Sequence, residues 1–443
     1  MLRHPAERWS RLHMSRRDFL RRTAAGATAL PTMAALLAAC KEDAGPGTGD
    51  GEEPELRIGT PDSPVELQVF DDNPPIQSDL EVEAREGATL KIFNWQDYFW
   101  KRVLEDFAEE YNVGWEYETF YNMEEAISKI ETGEAQFDVF FPTIDVVPGL
   151  VAKKIIQPLN HDYIPNLSNV WPQLADPFYD GRSQYTVPYT VYHTGIGWRT
   201  DMVDLSVDDF AAMDDPWAPF WDAANAGIIG LYDDYREALT VGLFRNGVDD
   251  VNTGDGAAIE AAGALLQELT ALDVRYTIDG AYAKMPEGVF GLHEAWSGDM
   301  VATPYYIKTG TDPHFLQYFW PARSAFGLGT VGNDCLAIPK NAQNPVLAHA
   351  FLNYYCDFKV AMKNFSWVGY QPAQTQLNPD DLLGPWKGPF DASKGWIDGY
   401  VLESMPETIV TEADFDIGKR HLALPAETDL LWQNAFATVT AGG

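Results

Sequence analysis

The chain has 443 residues, of which 66 are acidic and 31 are basic, and its formal net charge is −35. Hydrophobic residues make up 46% and aromatic residues 13% of the sequence, which excludes a disordered chain and predicts a well-packed globular protein. The acidic surface repels nucleic acid and attracts cations, and adaptation to a salty habitat explains the bulk charge equally well.

Residues 1–39 are typical of an export signal and are set apart from the fold. Seven arginines precede an Ala-rich apolar run that is too short to span a membrane. The stretch SRRDFL, Ser15 to Leu20, has the twin-arginine form that resembles the signal for export of folded proteins. The apolar run ends in LAAC, which resembles a lipobox and predicts lipidation of Cys40. Residues 40–55, rich in Gly, Asp, Glu and Pro, are predicted to be a flexible tether.

The part of the chain after the tether is predicted to fold as two lobes. Residues 56–88 are rich in Pro and Asp and are expected to form an extended arm on the body. No run of about 20 apolar residues follows Leu56, so we expect membrane attachment only through the lipid anchor. About 390 residues remain for folding, which is more than one compact core usually holds, so two lobes are expected.

Regular structure is predicted to begin at Thr89 and to alternate between strands and helices. TLKIFNW is typical of a strand, FWKRVLEDFAEEYN has Val103, Leu104 and Phe107 at helical spacing, and GWEYETF alternates as a strand. MEEAISKIETG predicts a helix, FDVFFPT a short buried strand, and DVVPGLVAKKII the next helix. This alternation indicates an α/β fold with helices on the faces of a sheet.

The alternation continues in the second part of the chain. YTVPYTVYHTGIGWRT is predicted to form two short strands broken at Pro188. IIGLYDDYREALTVGLF predicts a strand, a turn and a helix, and DGAAIEAAGALLQELTAL predicts a helix. FGLHEAWSGDMV predicts a strand that leads into a helix, LGTVGNDCLAIP a strand, and NPVLAHAFLNYYCDFKVAMKNF one or two helices.

Neither a metal nor a cofactor is predicted. The eight histidines are scattered, and no Cys or His pair has the spacing of a zinc site. A disulfide between Cys335 and Cys356 is permitted outside the cytoplasm, but their spacing does not indicate one. We therefore predict that both are small packed residues.

Acidic and aromatic side chains follow the predicted strands, where loops offer polar groups to ligands in open α/β sheets. The polar residues at these strand ends are Gln96, Asp97, Tyr98, Thr143, Asp145, Asp233, Asp234, Glu237, Ser297, Asp299 and Asp334. Converging carboxylates repel each other unless protons, a metal ion or a cationic ligand compensate them. Trp95, Tyr98 and Trp296 beside the acids favour an organic ammonium over a hard metal ion.

The chain from about Thr89 to about Gln374 resembles the spermidine/putrescine-binding proteins, the extracytoplasmic solute receptors of polyamine ABC importers. The motifs that carry the resemblance, in the family's order and spacing, are KIFNWQDY, FDVFFPT, IIQPLNHDYIPNLSNV, YTVPYTVYHTGIGWRTDMV, DDYREAL, AWSGDM, NDCLAIPKNAQNP and VGYQPA. The resemblance implies an α/β, two-lobed periplasmic-binding-protein-like fold of type II, in which each lobe is a mixed sheet flanked by helices and the ligand cleft lies between the lobes. The implied bounds are 89–192 plus 332–378 for lobe one and 193–331 plus 379–443 for lobe two.

The resemblance also implies a set of ligand-binding residues. These are Trp95, Asp97, Tyr98, Thr143, Asp145, Asp234, Glu237, Trp296, Asp299, Asp334 and Tyr370. One departure is Gly332, where the family often has an aromatic residue two positions before the acid that Asp334 matches. Helix capping is the alternative role for Asp97, Asp145, Asp234 and Asp299.

The sequence therefore predicts a lipid-anchored, monomeric solute-binding protein that is not an enzyme and acts on the extracytoplasmic side of the membrane. It is expected to bind putrescine or spermidine, to close over the ligand and to dock on an ABC permease. Two alternatives stay open. One is a receptor for another organic cation or small solute, and the other is a secreted hydrolase with Asp97 and Asp299 as its acid pair.

Overall fold

The computed structural model describes residues 56–77, 88–133, 136–308, 311–384 and 401–441. The predicted export signal, the twin-arginine motif, Cys40 and the tether lie outside these residues, as does the second part of the predicted arm. Within the described ranges, no helix combines the length and the apolar character needed to cross a membrane.

The described strands form one large mixed sheet and one small pair. Their bounds are β1 Thr89–Trp95, β2 Gly114–Phe120, β3 Val139–Phe140, β4 Thr186–Arg199, β5 Ile229–Leu231, β6 Arg275–Tyr276, β7 Leu292–Trp296, β8 Leu316–Phe319, β9 Thr330–Ala337, β10 Leu383–Gly384 and β11 Val401–Leu402. The order across the large sheet is β2-β1-β3-β9-β4-β7-β5-β6, and β8 pairs with β4 outside this path. We call β2, β1 and β3 the first sheet half and β7, β5 and β6 the second sheet half.

Helices cover the faces of this sheet. The α-helices of the described residues are α1 Lys101–Tyr111, α2 Met123–Glu131, α3 Val147–Ala152, α4 Pro172–Ala175, α5 Val207–Ala212, α6 Tyr235–Arg245, α7 Gly256–Glu268, α8 Ser297–Ala302, α9 Pro345–Tyr355, α10 Phe358–Val368, α11 Asp414–Ile417 and α12 Ala426–Ala441.

The first sheet half forms as the sequence pattern predicts. β1 pairs in parallel with both β2 and β3. Between β1 and β2, helix α1 buries Val103, Leu104 and Phe107 completely, and burial of each such side chain stabilises the fold by about 1.5 to 3 kcal/mol. The helix ends at Asn112, which adopts the left-handed conformation that closes many helices.

The centre of the sheet is the long strand β4, which pairs with β9 through its first part and with β7 and β8 through its last part. The predicted break into two strands at Pro188 is wrong, because β4 continues from Thr186 to Arg199. Pro188 is accommodated by a shift of register against β9 between Pro188 and Thr190, the kind of irregularity at which a sheet tolerates a residue without an N–H group. β4 therefore joins the two sheet halves.

The second sheet half has the same parallel character, since β5 pairs in parallel with β6 and with β7. Helices α6, α7 and α12 pack together beside it. One buried hydrophobic cluster extends from Leu90 and Ile92 in the first half to Tyr232 and Met300 in the second. The two sheet halves therefore share a buried core.

The described part of the arm, residues 56–77, contains no helix or regular strand and lies on the body. The N–H of Val65 donates to the Phe178 carbonyl, and the Val65 carbonyl accepts from the Gly181 N–H. Cys335 and Cys356 are packed in the interior, as predicted, and both are free thiols.

Candidate functional site

Asp334 is a buried carboxylate at the centre of the sheet. It lies on β9 directly opposite Thr190 on β4, and Thr143 forms a single antiparallel bridge with it from the end of β3. The Tyr98 hydroxyl donates to Asp334 Oδ2 at 2.7 Å and lies 2.6 Å from Thr190 Oγ1. Burial raises the pKa of Asp334 to about 7, and the charge of Asp145 adds to this. Asp334 Oδ1 is buried and has no hydrogen-bond partner among the described residues.

Glu237 is a second buried carboxylate with one unused oxygen. It lies in the first turn of α6, and its Oε1 accepts a hydrogen bond from Trp296 Nε1 at 2.9 Å. Neither its Oε2 nor Thr194 Oγ1 has a partner with hydrogen-bond geometry within the described part of the chain, but Thr194 lies close enough to lower the pKa of Glu237. Burial, and then the charge of Asp234, raise the pKa of Glu237 to about 8. A buried charge of this kind requires a partner or a proton.

Asp299 differs because both of its oxygens are already used. Tyr232 donates to Oδ2 and Tyr370 donates to Oδ1, each at 2.7 Å. Burial raises the pKa of Asp299 to about 7. Asp299 lies within the first turn of α8 and does not cap it, since the residue at the cap position is Trp296.

Aromatic rings connect these carboxylates. Trp296 stacks on Tyr232 with 3.8 Å between ring centroids, and Tyr370 meets Tyr98 edge to face at 4.7 Å. The Tyr232 hydroxyl also accepts from the Trp296 N–H at 2.7 Å. Trp95 is placed differently, because its ring contact is with Phe120 in the first sheet half at 4.8 Å.

Asp97 lies in a second acidic group. It follows β1 in a turn with φ of 55°, a left-handed conformation that few residues other than glycine adopt. Burial raises the pKa of Asp97, and Asp279 after β6 raises it further. Burial, followed by the charges of Asp97, Asp299 and Asp279, raises the pKa of Tyr306 as well. Asp97 does not cap α1, which begins after Trp100.

Asp145 and Asp234 complete the group around Asp334 and Glu237. Asp234 caps α6, and its Oδ1 accepts from the Arg236 N–H at 2.8 Å and the Glu237 N–H at 3.1 Å. The capping alternative is thus correct for Asp234. Asp145 does not cap α3, because the residue at that cap position is Val146.

Several residues at the site were not predicted from the sequence. They are Thr190, Tyr192, Thr194, Tyr232, Asp279, Glu294 and Tyr306. Glu294 is buried within β7, and its Oε2 accepts from the Tyr232 N–H at 3.1 Å. An acid inside the apolar run FGLHEAW is a signal that could have been used, whereas the position of Tyr192 depends on strand pairing and carries no such signal.

The chemistry of this arrangement favours an organic cation over a hard metal ion. Among the described residues, no three His, Cys, Asp or Glu side chains are grouped so as to hold a metal ion. The unused oxygens of Asp334 and Glu237 lie in a setting of phenol and indole rings, which attract ammonium groups and pack against methylene groups.

The chain belongs to the bacterial extracellular solute-binding protein family, whose sequence model matches residues 102–387. It is 27% identical over 290 residues to the spermidine/putrescine-binding periplasmic protein of Salmonella typhimurium. The aligned region covers 65% of this chain and 78% of that protein. It is 25% identical over 309 residues to the putrescine-binding periplasmic protein PotF of Escherichia coli, which covers 67% of this chain and 80% of that protein.

Solved structures show the same fold. The PotD substrate-binding protein from Streptococcus pneumoniae matches with a TM-score of 0.59 and 22% identity, covering 80% of this chain and 99% of that one. The Tp0655 (TpPotD) lipoprotein of Treponema pallidum matches with a TM-score of 0.62 and 21% identity, covering 79% and 99%. The predicted two-lobed α/β fold and the family assignment are confirmed. The chain is a solute-binding protein and not an enzyme, so the hydrolase alternative is wrong.

Proposed function

We propose that this protein binds a polyamine, putrescine or spermidine, between its lobes and delivers it to the permease of an ABC importer. The observation that carries the proposal is the pair of buried carboxylate oxygens, Asp334 Oδ1 and Glu237 Oε2, that have no hydrogen-bond partner in the described part of the chain. The printed names of the relatives from Salmonella typhimurium and Escherichia coli support the same ligand class.

Without a cationic partner, the two buried carboxylates carry a free-energy cost. Ionised Asp334 and Glu237 are each unfavourable while buried, and their raised pKa values express that cost. An ammonium group removes it by donating charge-assisted hydrogen bonds, each of which contributes about 1.5 to 3 kcal/mol. Two charged ends joined by methylene groups that pack on Trp296 and Tyr370 are consistent with micromolar or tighter binding.

Both sheet halves contribute to the proposed site. Asp334, Tyr98 and Thr143 approach from the first half and the central strands, whereas Glu237, Trp296 and Asp299 are on elements of the second half. A ligand held by both groups favours the closed arrangement of the lobes, which the permease would recognise. We propose the lobe bounds 89–192 plus 332–378 and 193–331 plus 379–443, with a monomer as the active form.

Calorimetric titration of the mature protein tests the proposed function. We expect putrescine or spermidine to bind with a Kd in the micromolar range or below, while glutamate, an amino acid with net negative charge, gives no heat. Mass spectrometry of the protein as purified identifies a ligand carried through purification. The polyamine assignment fails if putrescine, spermidine and spermine all give no heat, and detection of a different organic cation would then support the alternative receptor.

We also propose export by the twin-arginine route and a lipid anchor at Cys40. The motif SRRDFL and the sequence LAAC support this part of the proposal. Replacing both Arg16 and Arg17 with lysine is expected to leave precursor in the cytoplasm, because recognition depends on the arginine pair and not on charge alone. Fractionation and immunoblotting measure the result, and unchanged export of the double variant would contradict the route.

A further inference from the structure

The Tyr192 side chain occupies the space that Gly332 leaves free. The two residues are paired across β4 and β9, so their side-chain positions share one face of the sheet. A Cβ atom on Gly332 would lie 3.0 Å from both Cζ and Oη of Tyr192, which is closer than almost all such contacts. The hydroxyl end of Tyr192 therefore lies over strand β9, and the absence of a side chain at position 332 makes this possible.

Tyr192 also stands among the carboxylates of the site. Its ring centroid lies 6.0 Å from that of Tyr370 and 6.3 Å from that of Trp296. Burial raises the pKa of Tyr192 well above its usual range, and the charge of Asp334 and then that of Glu237 raise it further. The phenol thus keeps its proton at neutral pH and can accept a hydrogen bond as a neutral hydroxyl.

We infer that Tyr192 is a specificity-determining residue, whose hydroxyl joins Asp334 Oδ1 and Glu237 Oε2 as the third acceptor for a terminal primary ammonium group. A primary ammonium has three N–H donors, a dimethylammonium has one, and a trimethylammonium has none. Ligands with fewer donors leave buried acceptors unpaired, and sites of this kind reject such analogues strongly. This inference rests on the proposed function and specifies which amines the same site accepts.

The inference gives Gly332 a defined role. An alanine at position 332 would require the end of the Tyr192 ring to shift by a few tenths of an ångström and so would displace its hydroxyl from the geometry of the acceptor set. Gly332→Ala and Tyr192→Phe should therefore weaken binding of a primary amine through the same lost hydrogen bond. Because the two changes share one interaction, the double variant should bind no more weakly than the weaker of the two single variants.

Calorimetry with two matched ligands tests the inference. Putrescine has two primary ammonium groups, and N,N,N′,N′-tetramethylputrescine has the same chain without them. We expect Tyr192→Phe to weaken putrescine binding by about tenfold or more, as for loss of one hydrogen bond to a charged group. Binding of the tetramethyl compound should change by no more than about twofold, since it does not use the hydroxyl.

Tyr185→Phe is the matched control. This buried tyrosine loses the same hydroxyl, which donates to the Gln68 carbonyl at 2.6 Å in the arm, and it should leave both affinities unchanged. An equal loss for both amines in Tyr192→Phe would overturn the inference, because it would assign Tyr192 a packing role only. Unchanged binding of both amines would overturn it too.

If Tyr192→Phe does not fold, Gly332→Ala provides the same comparison. If the unaltered protein binds neither amine, the proposed function itself fails, and the inference fails with it.

Discussion

Replacing Asp334 with asparagine is expected to weaken putrescine binding by at least about 30-fold, the lower end of the cost of removing one partner from a buried charge pair. Asparagine has nearly the same shape, and its oxygen can still accept the Tyr98 hydroxyl hydrogen bond that now goes to Asp334 Oδ2. The ammonium group, however, loses its counter-charge at the unused Oδ1. Calorimetric titration at pH 8, where the native carboxylate is ionised, measures the difference.

Asp204→Asn is the control for this substitution. Asp204 is exposed in the loop after β4, and its replacement removes the same formal charge at a position in contact with water. We expect its affinity to match that of the unaltered protein within about twofold, because exposed charges act weakly through water. Affinity of Asp334→Asn that is equally unchanged, in a variant with a normal thermal melt, would show that Asp334 does not bind the ligand.

The second large effect concerns pH, because the buried carboxylates bind protons more tightly in the empty folded protein than in the unfolded chain. The folded-state pKa is raised to about 7 for Asp334 and Asp299 and to about 8 for Glu237. For an acid with a raised pKa, the stability it contributes is complete below the unfolded pKa and is lost as pH rises through the folded pKa. The contribution of these carboxylates to the free energy of unfolding of the ligand-free protein should therefore fall from pH 6 to pH 8, by roughly 1 to 2 kcal/mol for each. The histidines whose pKa values are lowered by burial contribute in the opposite direction, and these are His193, His293, His349 and His421.

A bound amine should cancel most of this fall, because carboxylates paired with the ligand stay ionised throughout the interval, as they are in the unfolded chain. Aliphatic ammonium groups remain charged between pH 6 and pH 8, like lysine with its pKa near 10, so only the protein titrates in this range. Binding requires ionised carboxylates and releases their protons, and the Kd for putrescine should fall by about tenfold or more over this interval. Thermal melts with and without putrescine at pH 6 and pH 8 measure both effects.

The Asp334→Asn variant serves as the control for the pH series. It lacks one of the carboxylates whose pKa is raised, so the fall in its stability from pH 6 to pH 8 should be smaller than that of the unaltered protein. Glu237 also faces Asp234, Arg236 and Glu294, so its titration is expected to persist in this variant. A change in stability from pH 6 to pH 8 that is the same in Asp334→Asn as in the unaltered protein would contradict the buried-carboxylate description, because the histidines with lowered pKa values titrate equally in both.

The parts of the fold that local pattern determines could be predicted from the sequence. The helical spacing of Val103, Leu104 and Phe107 corresponds to the buried face of α1, and the strands β1 and β7 begin and end close to the predicted stretches. Pro188 was misjudged because a single residue without an N–H group reads as a break, whereas a shift of register with β9 absorbs it within one strand.

The site was only partly predictable for a related reason. Asp334 could be predicted because an acid between two apolar stretches lacks a local role. Asp299 was also predicted, but the sequence does not show that Tyr232 and Tyr370 use both of its oxygens. Tyr192 was missed because its position depends on which residue pairs with it across the sheet, and that register belongs to the tertiary structure.

The departure at Gly332 also changes meaning once the structure is considered. From the sequence, a glycine at this position left a gap in the aromatic lining of the expected cleft. In the structure Tyr192 fills that gap. Its ring comes from the neighbouring strand β4 and not from position 332 on β9. The aromatic lining is therefore present, and the Tyr192 hydroxyl adds a polar group among the carboxylates.

A crystal structure of the protein with putrescine tests the central claim most directly, because it locates the ligand nitrogen atoms relative to the buried carboxylates. We expect one terminal nitrogen within hydrogen-bond distance of Asp334 Oδ1 and Glu237 Oε2, with the methylene chain against Trp296 and Tyr370. Putrescine bound elsewhere, with those two oxygens still lacking a cationic partner, would contradict the account.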